Sequence, residues 1–143
     1  MSPILIPTAA QVIETNKYLC QQGGNPHHCF DPGKVESALH TAFYPGAYPF
    51  QLGGVAKLAG ALCFYLVKSH AFMDGNKRTG ALVAITFLNL NGWDLQYPID
   101  ESTGINALAE VIEACAASSI TKEQLMDWFD SHKVKAQDEL NNE

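Results

Sequence analysis

The sequence predicts a mainly α domain: a compact bundle of six helices, with a short flap or hairpin ahead of the helices that flank residues 70–78. Three observations carry that expectation. Apolar residues recur at helical spacing along most of the chain, capping residues and Gly or Pro stand at the breaks, and only "WDLQYP" reads as a short strand. With 143 residues, 47% of them hydrophobic, the chain suffices for one domain, 1–143, around a single core.

Thr8 is placed to cap a first helix to about Gln22, which Gly23-Gly24 would stop. "NPHHCFDPG" is a loop, after which Asp31 caps and Pro32 opens a second helix through Val35, Leu39 and Phe43. The aromatic, Pro- and Gly-rich stretch "YPGAYPFQLGG" breaks helices and reads as a flap over 44–52. From Gly54 or Val55 the spacing Val55, Leu58, Ala59, Leu62, Tyr65, Leu66 predicts a third helix to Ser69.

"TGALVAITFLNLNG" is apolar on nearly every side and predicts an enclosed central helix, with Gly92 as its left-handed exit. Two amphipathic helices are expected after it, over Asp100–Ser118 and Thr121–His132, the second opened by the capping box Thr121…Gln124. The polar tail, 134–143, is expected to fray.

Composition narrows the function classes. Fifteen acidic residues against nine Lys plus Arg give a formal charge of -6, which argues against a nucleic-acid backbone as the main partner and makes any anion site local. The longest apolar runs fall short of the roughly 18 to 20 residues of a membrane span, and the N-terminus lacks the pattern of a secretory signal, so a cytoplasmic protein is expected. Four cysteines form no CxxC pair, in keeping with reduced thiols. "CQQGGNPHHC" offers Cys20, His27, His28 and Cys29, but the spacing fits no standard zinc motif, so the stretch reads as an ordinary loop.

The chemistry concentrates in "HAFMDGNKRTG", residues 70–80. If the central helix starts near Gly75 or Asn76, Lys77 and Arg78 sit at the positive end of its dipole, where each cation costs about 0.3 to 1 kcal/mol. A bound anion reverses that sign, because the helix N-terminus, Lys77, Arg78 and the Asn76 amide then converge on one negative group, with phosphate the natural candidate. Asp74 fits such a site if Mg²⁺ bridges its carboxylate to phosphate oxygens. His70 is the nearby imidazole suited to take a proton from an attacking hydroxyl. Phe72 is an apolar peg that would fix the loop. The plain alternative is a charged turn: His70 as a helix C-cap, Asp74-Gly75-Asn76 as a turn, and Lys77-Arg78 as a solvated pair.

The string closely resembles the signature of the Fic/Doc family: histidine, any residue, phenylalanine, any residue, an acid, Gly-Asn, a variable residue and arginine. "DPGKVESAL" and "FLNLNGWDL" extend the likeness to about residues 27–95. Most family members have glycine after the asparagine and transfer AMP from ATP to a protein hydroxyl. Lys77 stands there instead, as in the death-on-curing (Doc) branch, whose toxin member resembles a kinase that phosphorylates elongation factor Tu and stops translation. Ala81 agrees, since AMP-transferring members usually carry a second arginine at that place.

The resemblance implies His70 as general base, Asp74 as Mg²⁺ ligand, and Gly75, Asn76, Lys77 and Arg78 as the binders of ATP phosphates. Phe72 would anchor the loop, and Tyr48, Pro49 and Phe50 of the flap would align the target by backbone pairing. Lysine fills space that glycine leaves open, so the γ- rather than the α-phosphate would face the hydroxyl. Doc relatives often have arginine where Phe30 precedes "DPG", which leaves that arginine's contact without a counterpart here. The implied partners are a protein target, such as a translation factor, and a separate antitoxin whose disordered tail folds over the groove. No direct nucleic acid or membrane partner is implied. Ser119…Glu123-Gln124 is a near miss of the family's inhibitory-helix motif. The alternatives are an AMP or other nucleotidyl transferase of the same fold and a catalytically silent binding protein.

Overall fold

The computed structural model describes residues 4–43 and 54–136. Among the described residues, six helices and one small sheet follow in the order α1 (Ala9–Gln22), α2 (Pro32–Phe43), α3 (Val55–Ser69), α4 (Asn76–Leu90), β1 (Trp93–Leu95), α5 (Ala107–Ala116), α6 (Lys122–His132) and β2 (Lys133–Lys135). The expected mainly α bundle is what the chain forms. The expected flap, with Tyr48, Pro49 and Phe50, lies outside the described residues.

Helix starts follow local chemistry. Thr8 and Thr121 each accept from the N–H of a glutamine three residues on, and each glutamine side chain reciprocates to the threonine N–H, so both α1 and α6 open with a capping box. Asp31 Oδ1 accepts from Gly33 N–H at 2.9 Å, and Pro32 begins α2.

Helix α3 rather than α4 is the enclosed one. Nine of the 15 residues of α3 are buried, and it packs against α2, α4, α5 and α6. Helix α4 buries Val83, Ala84, Phe87 and Leu88 but leaves Leu90 exposed. Its residues looked apolar all round, yet one side of the helix meets solvent, as single surface apolar residues commonly do.

Two helical glycines set how closely α3 is approached. A Cβ at Gly60 would lie 2.7 Å from Met126 Cα on α6, and one at Gly80 would lie 2.8 Å from Val67 Cγ2. Only glycine allows either crossing at that spacing.

Two further expectations need correction. Helix α5 begins at Ala107, not Asp100. Asp100 Oδ1 accepts from both the N–H and the hydroxyl of Ser102, Gly104 adopts φ +74, and Asn106 caps the helix through Ala109 N–H at 2.7 Å. Local side-chain bonding to the backbone thus outcompetes a further helical turn. The tail also does not fray from residue 134. Lys133–Lys135 pairs antiparallel with Trp93–Leu95, Val134 opposite Asp94, while residues 137–143 lie outside the described set. Among the described residues, no helix is long and apolar enough to cross a membrane.

Candidate active site

Residues 70–75 form the tight turn from α3 into α4, and residues 76–78 begin α4 itself. Helix α3 ends on His70, whose backbone is left-handed at φ 51, a conformation in which a non-glycine residue signals constraint. The chain then dives inward: Ala71 and Phe72 are buried, and Phe72 joins the hydrophobic core. Gly75, at φ 78, turns it back out and serves as the N-cap of α4 without a side-chain cap.

Three sets of bonds hold this turn. Asn76 Oδ1 accepts from Phe72 N–H at 3.1 Å, and Asn76 Nδ2 donates to the Phe72 carbonyl at 2.8 Å. The 28–30 loop runs alongside as a short antiparallel partner, with Phe30 N–H donating to the Ala71 carbonyl at 2.8 Å and Met73 N–H to the His28 carbonyl at 2.9 Å. From beneath, fully buried Asn16 of α1 donates through Nδ2 to the Asp74 carbonyl at 2.8 Å and to Thr79 Oγ1 at 3.0 Å.

The turn borders a cleft of about 360 Å³. His70, Met73 and Asp74 line it from the loop, Gly75, Asn76, Lys77 and Arg78 from the first turn of α4, and Val67 and Ala116 from the apolar walls. Arg78 Nη2 lies 3.3 Å from Asp74 Oδ2, and Lys77 Nζ lies against Glu113 Oε1 of α5. Arg78 also lies close to the end of α1, since a Cβ at Gly23 would sit 3.4 Å from Nη1. Two cations and a helix N-terminus therefore meet one carboxylate and an exposed imidazole in one concavity, an arrangement suited to a phosphorylated ligand.

The structure brings together His70, Asp74, Gly75, Asn76, Lys77 and Arg78, all of which line the cleft, and sets Phe72 beneath them in the core. Tyr48, Pro49 and Phe50 lie outside the described residues. The Asn76 side chain is engaged by the Phe72 backbone, so what it presents to a ligand is its main-chain N–H. His70 does end α3, as the plain reading of the turn expected, and the same residue opens onto the cleft.

Sequence reasoning missed Asn16 and Glu113, and it read His27 as part of an ordinary loop, where the structure sets its Nδ1 2.8 Å from Asn16 Oδ1. Asn16 carried a signal, since an asparagine on the apolar face of a predicted helix is a polar group that must find partners. Glu123, the acid of the near-miss inhibitory motif, is 72% exposed in the first turn of α6, its carboxylate 3.6 Å from Lys122 Nζ, and it is not among the residues lining the cleft.

Comparison with known proteins agrees with this geometry. A curated relative, "Toxin Doc" of Mycolicibacterium smegmatis (strain ATCC 700084 / mc(2)155), is 39% identical over 66 residues, covering 46% of this chain and 51% of the relative. The chain thus spans about half the length of the curated relative it matches. The sequence model of the Fic/DOC family matches residues 7–88, more than half of the chain and all of the turn just described. On that match, and with the family's signature residues gathered around one cleft, the chain belongs to the Fic/Doc family.

Proposed function

We propose that the chain is a Doc-like toxin that transfers the γ-phosphate of ATP to a hydroxyl of a protein target. A translation factor such as elongation factor Tu is the favoured target, and blocked translation the consequence. The observation that carries this reading is the cleft itself, in which His70, Asp74, Lys77 and Arg78 converge on the N-terminus of α4. Lys77 in the place of the family's usual glycine, together with Ala81, favours phosphate over AMP transfer.

In the proposed reaction His70 takes the proton of the target hydroxyl as its oxygen bonds the γ-phosphorus, and the bond from that phosphorus to the β-γ bridging oxygen breaks, releasing ADP. Lys77, Arg78 and the N–H groups of the first turn of α4 hold the phosphate charge. Asp74 suits Mg²⁺, because a half-exposed carboxylate beside a phosphate cradle is the single protein ligand that Mg²⁺ commonly takes alongside nucleotide oxygens. Bound there, the ion would neutralise charge developing on the β- and γ-oxygens. Met73, Val67 and Ala116 supply apolar surface to the cleft. By analogy with the relative's name, a cognate antitoxin is the partner expected to silence the site.

The test is transfer to candidate translation factors with Mg²⁺ and ATP labelled at the α or the γ position. Label moving from the γ position, and lost in His70→Ala, is the expected result. Label moving only from the α position would replace the kinase reading with AMP transfer. No transfer from either position, with His70→Ala indistinguishable from the parent, would favour a silent binding protein.

A further inference from the structure

We propose that His27, acting through Asn16, is a positioning residue that sets how Asp74 is presented to the cleft. The inference rests on the reading of the cleft as a Mg²⁺–nucleotide site.

Asn16 is wholly buried, and its amide orientation is fixed by its neighbours. The Asp74 carbonyl can only accept, so the group 2.8 Å from it must be the Nδ2 donor. That puts Oδ1 toward His27, whose Nδ1 lies 2.8 Å away and must therefore carry its proton. The other neighbour of Oδ1 is the Cys20 thiol at 3.6 Å, a weak donor. His27 is thus the one strong donor that these contacts give the Asn16 oxygen, and that oxygen has no water to turn to.

Without the His27 proton, the amide gains by turning over in search of a donor. Turning places its oxygen against the Asp74 carbonyl and withdraws the Nδ2 bond that holds it, leaving that carbonyl only the weak Cys20 thiol contact at 3.8 Å, while the Thr79 hydroxyl must change from acceptor to donor to keep its own bond. The two Nδ2 bonds hold the segment that runs from the proposed metal ligand into the helix, one on the Asp74 carbonyl itself and one a turn into α4. His27 also directly precedes the 28–30 strip that splints the motif, adjacent to His28, whose carbonyl holds Met73 N–H, and its ring lies 6.4 Å from that of Phe72. A residue not among those lining the cleft thereby controls how Asp74 and the first turn of α4, which do line it, are held. Groups that orient a metal ligand from behind in this way typically contribute about 10- to 100-fold in metal affinity or activity.

The experiment compares the full chain with His27→Leu, which keeps bulk and loses the donor, and His27→Asn, whose amide nitrogen can occupy the place of Nδ1. Binding of ATP is titrated against Mg²⁺ by calorimetry, and hydrogen exchange is followed at the Met73 and Thr79 amides. His27→Leu is expected to need about 10-fold more Mg²⁺ for half-maximal nucleotide binding, with faster exchange at both amides, while His27→Asn recovers both. A His27→Leu protein with the parent's Mg²⁺ requirement overturns the inference and leaves the cleft reading standing. Equal losses in His27→Leu and His27→Asn overturn it too, since they would mark a packing role alone. A parent that binds ATP without regard to Mg²⁺ sinks both the inference and the metal assignment beneath it.

Discussion

Asn76 closes its side-chain amide on both backbone groups of Phe72, accepting from the N–H at 3.1 Å and donating to the carbonyl at 2.8 Å. The ring of Phe72 is meanwhile sunk in the core. The two residues together convert a six-residue link between helices into a fixed cup: the ring anchors it from below, and the amide holds its neck closed across four positions. The first residue of α4 therefore builds the site by shaping the loop that precedes it.

Asn76→Ala leaves both Phe72 groups without their partner in a partly buried turn, at a cost of about 1 to 3 kcal/mol for each group that water cannot reach. Asn76→Asp keeps the acceptor but sets an oxygen against the Phe72 carbonyl. Both variants are expected to lower the urea midpoint and to abolish label transfer, with Asn76→Ala the less stable. Parent-level transfer by Asn76→Ala would show that Phe72 alone holds the turn.

Glu113 contacts Lys77 across the edge of the cleft, and both side chains are about half exposed or more (65% and 49%). Such a pair contributes only about 0 to 1 kcal/mol to stability. Its effect on a phosphate ligand is different in kind, because the carboxylate competes for the ammonium and repels incoming anions. Glu113→Gln is expected to bind ATP several-fold more tightly, by roughly the worth of one such pair, with an unchanged melting temperature. Weaker binding would show that Glu113 holds Lys77 in its working position instead.

How much of this was legible in the sequence follows from the range of the interactions. The elements set by local rules were readable: Thr8 and Thr121 cap their helices, Asp31-Pro32 opens α2, and Gly92 exits α4 at φ +88. The motif residues share one cleft because a six-residue link and the helical turn after it leave them little freedom to part. What was hidden depends on contacts far apart in sequence. Glu113 meets Lys77 from 36 positions away, and Asn16 meets Asp74 from 58. Val134 and Lys135 looked like the start of a polar tail, since three residues paired on an edge leave no alternation to detect. Asp100 misled because its side-chain bonds to Ser102 stop a helix that the apolar spacing would have allowed.

Cys63 and Cys115 predict an alkaline limit to stability. Burial, and then the neighbouring Cys115, push the Cys63 thiol well above its ordinary range, and burial likewise raises Cys115. A raised value in the folded state means that the unfolded chain loses these protons first. The contribution is whole below the ordinary thiol value and is lost as pH rises through it toward the raised one. The urea midpoint is therefore expected to fall above about pH 9, and to fall less steeply in Cys63→Ala, despite that variant's lower stability at neutral pH. At pH 8 a thiol reagent should reach half-buried Cys29 first, with Cys63 and Cys115 reacting only as the protein unfolds. Rapid labelling of all four in the native protein would contradict this.

Gly60 and Gly80 permit a graded test of how tightly α3 is gripped. Alanine in a helix interior is favoured over glycine by about 1 kcal/mol, so either substitution stabilises unless packing opposes it. At Gly80 the new methyl meets Val67 Cγ2 at 2.8 Å and the Cys63 carbonyl at 3.3 Å, so a stiff, buried side chain must move. Overpacking of that kind costs about 1 to 3 kcal/mol, which leaves Gly80→Ala neutral to moderately destabilised. At Gly60 the methyl meets backbone: Met126 Cα at 2.7 Å, with the Leu125 carbonyl and Met126 nitrogen both at 3.1 Å. No rotamer change relieves that contact, so α6 as a whole must shift away from α3. Urea denaturation should therefore rank the parent above Gly80→Ala and Gly80→Ala above Gly60→Ala, with the Gly60 loss at or beyond about 3 kcal/mol. The cleft adds a second readout, because Gly80 lies on α4 one turn below its first residues whereas Gly60 does not. Nucleotide binding should weaken in Gly80→Ala more than in Gly60→Ala when both are measured well below their melting temperatures. The reverse order would mean that the α3–α6 contact, rather than the α3–α4 contact, sets the shape of the site.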